Sequence, residues 1–162
     1  MGQEHGTPMQ LTEAVIKVND EIKRRMVDKI FDICDGSVNT KTIAVLGVTF
    51  KPNTDDMRDA PALTIIPALV GAGAEVFVTD PEGAKEGTAL LPGVTWAEDA
   101  YAAAEGADAL VILTEWNQFR ALDLPRLAQI MRGKHVADLR NVYTAEEMAT
   151  RMRDEVHDRA RC

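Results

Sequence analysis

The residues best equipped for chemistry sit in one short segment, Gly47-Val48-Thr49-Phe50-Lys51-Pro52-Asn53-Thr54-Asp55-Asp56-Met57-Arg58-Asp59. It combines the cations Lys51 and Arg58 with the ring of Phe50 and with several small hydroxyl and amide groups. Cations meet phosphate with charge, and hydroxyls and amides meet a sugar with hydrogen bonds. A helix that follows such a loop adds main-chain N–H donors that favour anions. A second reading is a solvated loop, with Asp59 capping the next helix and Arg58 paired to a neighbouring Asp. Composition alone leans to the second. The segment is not a dinucleotide fingerprint, because Val-Thr-Phe-Lys follows Gly47 where GxGxxG needs two more glycines. It is not a P-loop either.

Other reactive types are scattered. Arg140 stands two residues after Asp138, and the two could simply pair. Asp80-Pro81 reads as a turn, although an acid at a strand end holds a ribose in some dinucleotide folds. Glu115 and Asp138 could serve as acids or bases, but nothing in the sequence lifts them above structural roles. Trp96 and Trp116 read as packing residues. Cys34 lies in an apolar helical stretch and Cys162 is the last residue, which fits two thiols in a reducing compartment. No His/Cys cluster has metal-ligand spacing, so no metal is expected.

The chain of 162 residues is long enough for one packed domain. Its 26 acidic residues outnumber 18 basic ones, for a net charge of −8. That balance argues against nucleic acid and anionic membranes as partners, since both need a basic field. No apolar run approaches the roughly 20 residues of a membrane span. The first residues lack the apolar core of a signal peptide, and Gly6 stands where myristoylation wants Ser or Thr. Met1-Gly2 reads as a start set inside a longer protein, and the expected location is the cytoplasm.

Elements that could position these residues follow from periodicity. Thr7-Pro8-Met9-Gln10 reads as a capping box opening a long helix. Leu11, Val15, Val18, Ile22, Met26, Ile30 and Ile33 then recur at helical steps, and Gly36 stops them. Residues 42–47, 75–79, 94–96, 109–113 and 135–138 read as strands. Between them, 60–72, 97–105 and 123–131 read as helices, and 84–91 is ambiguous. Pro67 predicts a kink or an early end in the second helix. Thr144-Ala145-Glu146-Glu147 is another capping box, before a helix carrying Met148, Met152 and Val156. Residues 154–162 are expected to fray. The alternation predicts a Rossmann-like, three-layer α/β domain, with a mostly parallel sheet of about five strands after a long interdomain helix. The boundary is placed between 1–36 and 37–162. Ligands of such sheets lie beyond the strands' carboxyl ends, here 47–51, 80–82, 114–116 and 138–140.

The string GVTFKPNTDDMRDAPAL closely resembles the C-terminal domain motif of the UDP-glucose/GDP-mannose dehydrogenases. VNDEIKRRMVDKI, TDPEG, ALVILTEWNQFRALD and HVADLRNVY fit the same family in the same order. FKPNTDD and TEWNQFR look most like its UDP-glucose members. GDP-mannose and UDP-N-acetylmannosamine members share the framework. The resemblance implies an NAD-dependent, two-step oxidation of the sugar C6 alcohol of UDP-glucose, through an active-site cysteine. It implies that Phe50 and Lys51 contact the UDP-sugar, that Arg140 contacts the substrate, and that Arg58 contacts NAD across the domain cleft. Lys51, Arg58 and Arg140 are then expected to face one anion-receiving mouth. The family's GGxCxPKD-type string and its glycine-rich NAD domain are absent from this chain. Neither Cys34 nor Cys162 has that motif, so no catalytic residue is assigned. The resemblance further implies an N-terminal NAD domain as partner, and a homodimer built on the first helix, whose apolar stripe is left partly exposed. A stand-alone binding module and a dimerisation unit remain alternatives.

Overall fold

Apolar runs of four or five residues, too short for helices, assemble the centre of this protein. The computed structural model describes residues 2–58, 60–133, 135–144, 146 and 147, with side chains from residue 13 onward. Strands β1 (Thr42–Leu46), β2 (Glu75–Thr79), β3 (Thr95–Trp96), β4 (Ala109–Ile112) and β5 (His135–Asp138) form one sheet in the order β3-β2-β1-β4-β5. Every neighbouring pair is parallel. The continuous hydrophobicity of β1 and β4 follows from burial on both faces. Ile43, Val45, Ala109 and Val111 enter one core layer, whereas Ala44, Leu46, Leu110 and Ile112 enter the other.

Helices cover both layers, giving the three-layer Rossmann-like architecture that the alternation predicts. On the first face lie α1 (Gly2–Ile33), which contributes Ile30, and α2 (Ala62–Gly71), which contributes Ile65, Ile66 and Leu69. The opposite face takes α4 (Ala100–Ala104) and α6 (Leu124–Ile130). Ala100, Ala103 and Ala104 are buried there, and their small side chains bring the α4 backbone close to the sheet. Asp99 and Asp123 cap these two helices, accepting from the N–H groups of Ala102 and Arg126. The ambiguous stretch is helix α3 (Ala84–Leu90). A further turn, α5 (Asn117–Arg120), is too short to carry a periodic signal.

Two expectations, at Thr7 and Pro67, need correction, and the partly exposed stripe of α1 is found as expected. Helix α1 begins at Gly2, so Thr7 lies inside it and is not its cap. Once a helix is nucleated each added residue brings one hydrogen bond, and extension through residues 3–6 outweighs the bond lost at Pro8. Helix α2, read over 60–72, continues through Pro67 to Gly71, so of the kink or early end expected at Pro67 the early end does not occur. Its buried residues on both sides of Pro67 hold it against the sheet. The stripe of α1 divides: Ile30 is buried, but Val15, Val18 and Ile22 are exposed. The second capping box forms as read, with the Thr144 N–H donating to Glu147 Oε2 at 2.8 Å and the Glu147 N–H to Thr144 Oγ1 at 3.1 Å. The helix expected after it, the fraying tail, the Asp59 cap and Cys162 lie outside the described residues.

Gly47 ends β1 with φ of +88°, and a Cβ added there would meet Thr114 Cβ at 2.5 Å and Thr114 N at 2.9 Å. Both the left-handed backbone and the close approach of β4's continuation exclude any side chain. Gly47→Ala is expected to cost about 2–5 kcal/mol. Urea unfolding of the two chains checks this, and an unchanged midpoint would contradict the geometry.

Candidate functional site

The strand order reverses between β1 and β4, which places a crevice at their carboxyl ends. Gly47 turns the chain there, and Val48 and Thr49 follow as fully buried residues. Thr49 is gripped from several directions. Its carbonyl accepts from Thr114 Oγ1 at 2.8 Å, and its hydroxyl accepts from Trp116 Nε1 at 3.3 Å. The Asp80 carboxylate accepts from the N–H groups of Val48 at 2.7 Å and Thr49 at 3.2 Å. Past this anchor the loop turns outward, leaving Phe50 45% exposed and Lys51 exposed as well. The Phe50 N–H donates to the Asp56 carbonyl at 2.8 Å, which closes the loop on itself. Phe50 is therefore not a core residue.

Arg140, just beyond β5, reaches across the same crevice. Its Nε donates to the Leu113 carbonyl at 2.9 Å, and its Nη2 to the Phe50 carbonyl at 3.4 Å. Glu115 Oε2 lies 3.6 Å from Nε. The guanidinium does not pair with the Asp138 carboxylate, which instead collects the N–H groups of Arg140, Val142 and Tyr143. That carboxylate shapes the turn, and Arg140 is left to face the crevice. Phe50 and Arg140 together line a groove of about 400 Å³, whose other wall is α1 through Ile16, Asn19 and Lys23. Asn19 and Lys23 are four residues apart, hence on one helical face. Their helical spacing was the available signal, but sequence reading missed them because it does not say which part of the sheet that face meets.

Lys51 and Arg58 do not line this groove. They stand on the same loop, both within Coulombic reach of Asp56. Arg58 makes a bidentate pair with Asp56 through Nε and Nη2, each at 3.0 Å, as the solvated-loop reading anticipated. The side-chain hydrogen bond from Arg58, then the bond from its main-chain N–H, lower the Asp56 carboxyl to about 2. Structure thus gathers Phe50 and Arg140 at one point, with Lys51 beside them and Arg58 at the far end of the loop.

Cys34 is buried, and burial pushes its thiol up, the opposite of what a nucleophile needs. Trp116 packs in the core with its N–H on Thr49, while Trp96 lies against Gly87, where an added Cβ would meet the ring at 2.5 Å. Among the described residues, no three His, Cys, Asp or Glu side chains are grouped to hold a metal. Among them, too, no helix is long and apolar enough to cross a membrane. At the β1 turn, the Val48 and Thr49 amides, of the kind that a dinucleotide fold offers to a pyrophosphate, donate to Asp80.

Because the Asp56 carboxyl is lowered on folding, the pair contributes fully above the ordinary 3.8 and is lost only as pH falls through about 2. It is therefore intact at neutral pH. An NMR titration of the Asp56 carboxyl carbon should show a midpoint near 2, rising toward 3.8 in Arg58→Gln. An identical midpoint in both chains would remove the pair as the cause.

Residues 44–145 match the family model described as the UDP binding domain of the UDP-glucose/GDP-mannose dehydrogenase family. A UDP-glucose 6-dehydrogenase of Rhizobium meliloti (strain 1021) is 50% identical over 147 residues, covering 91% of this chain and 34% of that protein. The UDP-glucose 6-dehydrogenase TuaD of Bacillus subtilis (strain 168) is 42% identical over 144 residues, covering 88% and 31%. A UDP-glucose dehydrogenase structure from Pyrobaculum islandicum superposes with a TM-score of 0.69 at 28% identity, over 85% of this chain and 34% of that one. The chain spans about a third of the length of the curated relatives it matches. With the sheet, the crevice and the sequence motifs in agreement, this chain belongs to the UDP-glucose/GDP-mannose dehydrogenase family and carries its UDP binding domain.

Proposed function

We propose that this chain is the C-terminal, UDP-sugar-binding part of an NAD-dependent UDP-glucose 6-dehydrogenase, which converts UDP-glucose to UDP-glucuronate in two oxidations. The observation that carries the reading is the meeting of Phe50 and Arg140 at the switch point, beside a groove walled by α1. Phe50 offers an exposed ring, Lys51 a flexible charge, and Arg140 a planar fork suited to phosphate or carboxylate. Arg58, held by Asp56 at the outer end of the loop, is assigned to NAD bound by the N-terminal part of the protein. That part would also supply the nucleophile, since Cys34 is buried and this chain lacks the family's cysteine string. The two thiols fit a cytoplasmic setting.

The exposed stripe of α1 supports a homodimer in the same protein. Val15, Val18 and Ile22 share one face, and they are 42–58% exposed. Sedimentation of this chain should show self-association that Val18→Glu with Ile22→Glu abolishes. A monomeric wild-type chain at high concentration would count against a dimer built on this helix alone.

Two kinetic outcomes follow. This chain by itself should show no NAD reduction with UDP-glucose, and robust turnover would overturn the division of labour. In the intact parent, Lys51→Ala should lower kcat/KM for UDP-glucose by about 10- to 100-fold while the fold is kept. Unchanged kinetics would remove Lys51 from the site.

A further inference from the structure

Asp80 is the polar residue whose surroundings the proposed activity does not account for. Its side chain is nearly buried, with 8% of the residue exposed. One carboxylate oxygen, Oδ2, accepts from the N–H groups of Val48 and Thr49 and lies 3.3 Å from the Thr49 hydroxyl. The other, Oδ1, accepts from the N–H groups of Glu82 at 2.9 Å and Gly83 at 2.7 Å. Donors therefore converge on it from the turns after both β1 and β2. Gly83 makes the approach possible, since a Cβ there would meet Val48 Cγ2 at 2.8 Å and Asp80 Cγ at 3.0 Å. In parallel α/β folds the main-chain amides at such a turn are the usual receivers of a phosphate. Here the protein's own carboxylate sits among them.

We propose that Asp80 is the positioning residue of this site: an internal anion that fills the amide cradle, fixes the Val48-Thr49 turn, and thereby aims Phe50 and Lys51 outward. A ligand's phosphate is excluded from the turn and must be met by side chains instead. The outward aim matters only if Phe50 and Lys51 face the ligand, so that half rests on the proposed function. The filled cradle does not. Thr49 links the two halves, because its carbonyl and hydroxyl are held by Thr114 and Trp116 while its N–H is held by Asp80. The next two residues leave from that fixed point.

The test uses this full chain, labelled with ¹⁵N, and inorganic phosphate as the probe. In the wild type, phosphate should leave the amide resonances of Val48, Thr49, Glu82 and Gly83 unmoved. In Asp80→Ser these four amides should move with saturable phosphate binding. The Val48 and Thr49 amides should also exchange with solvent about tenfold faster or more, and phosphate should slow them again. Rescue by an anion is a readout that a merely structural role would not give. Asp80→Asn, which keeps the shape and loses the charge, should show the same faster exchange with the β1 and β4 amides still protected. Phosphate that moves the wild-type amides would overturn the proposal. So would folded variants with unchanged protection, or variants that remain unfolded or unrescued with phosphate present. None of these readouts uses UDP-glucose or turnover, so the outcome stands apart from that of the proposed activity.

Discussion

A carboxylate withdrawn from water must find donors elsewhere, and Asp80 finds four main-chain N–H groups on two separate turns. Hydrogen bonds to a charged group are worth about 1.5–3 kcal/mol each, and removing the acceptor leaves the buried donors of Val48, Thr49 and Gly83 without it. Much local geometry follows from this one group. The turn after β1 has to approach the turn after β2, so Gly83 carries no side chain. Thr49 has to lie inward, where Thr114 and Trp116 complete its hydrogen bonding. Phe50 is then the first residue able to leave the core. The exposed chemistry of the loop is thus a consequence of how firmly its buried beginning is tied.

Neither Arg140 at the crevice nor Arg58 at the end of the loop is a bare charge in an acidic protein. Arg58 is paired with Asp56, and Arg140 has Glu115 at 3.6 Å together with two carbonyls. Such pairs are weak where water reaches them, because solvent and salt screen the attraction. They cost little to rearrange for that reason. Covering the crevice with another lobe would lower the local dielectric and strengthen whichever anion stays beside Arg140. Arg140 is thus pre-oriented, with only modest attraction for an anion while the crevice stays open to water.

Much of this was legible in the sequence. Strands buried on both faces appear as short apolar runs, and β1, β2, β4 and β5 were found within a residue or so of their observed ends. A cap with a side-chain mechanism was equally visible, as the pair Thr144 and Glu147 demonstrates. The failures share a cause. Thr7 was read as a boundary from local preference, yet a boundary depends also on what the neighbouring turns gain by staying helical. Asp80 was correctly read as part of a turn, which its Oδ1 closes, but its contact with residues some thirty positions earlier is invisible to spacing. Lys23 joined the site only once α1 had a direction relative to Phe50 and Arg140. Long-range partners, rather than residue types, were the missing information.

Helix α1 links these observations. Its last turns are anchored in the core by Ile30, while its earlier turns carry an exposed apolar face. Ile16 and Ile22 belong to that exposed set and also line the groove beside Phe50 and Arg140. Ile22 is thus common to the Val15, Val18 and Ile22 face and to the groove wall. An anchored helix transmits its position along its length, because its hydrogen-bonded turns resist bending. A displacement of its exposed end would carry Asn19 and Lys23 relative to Arg140, whose guanidinium is fixed by the Leu113 and Phe50 carbonyls. Any assembly on α1 would for this reason bear on the shape of the groove beside Phe50 and Arg140.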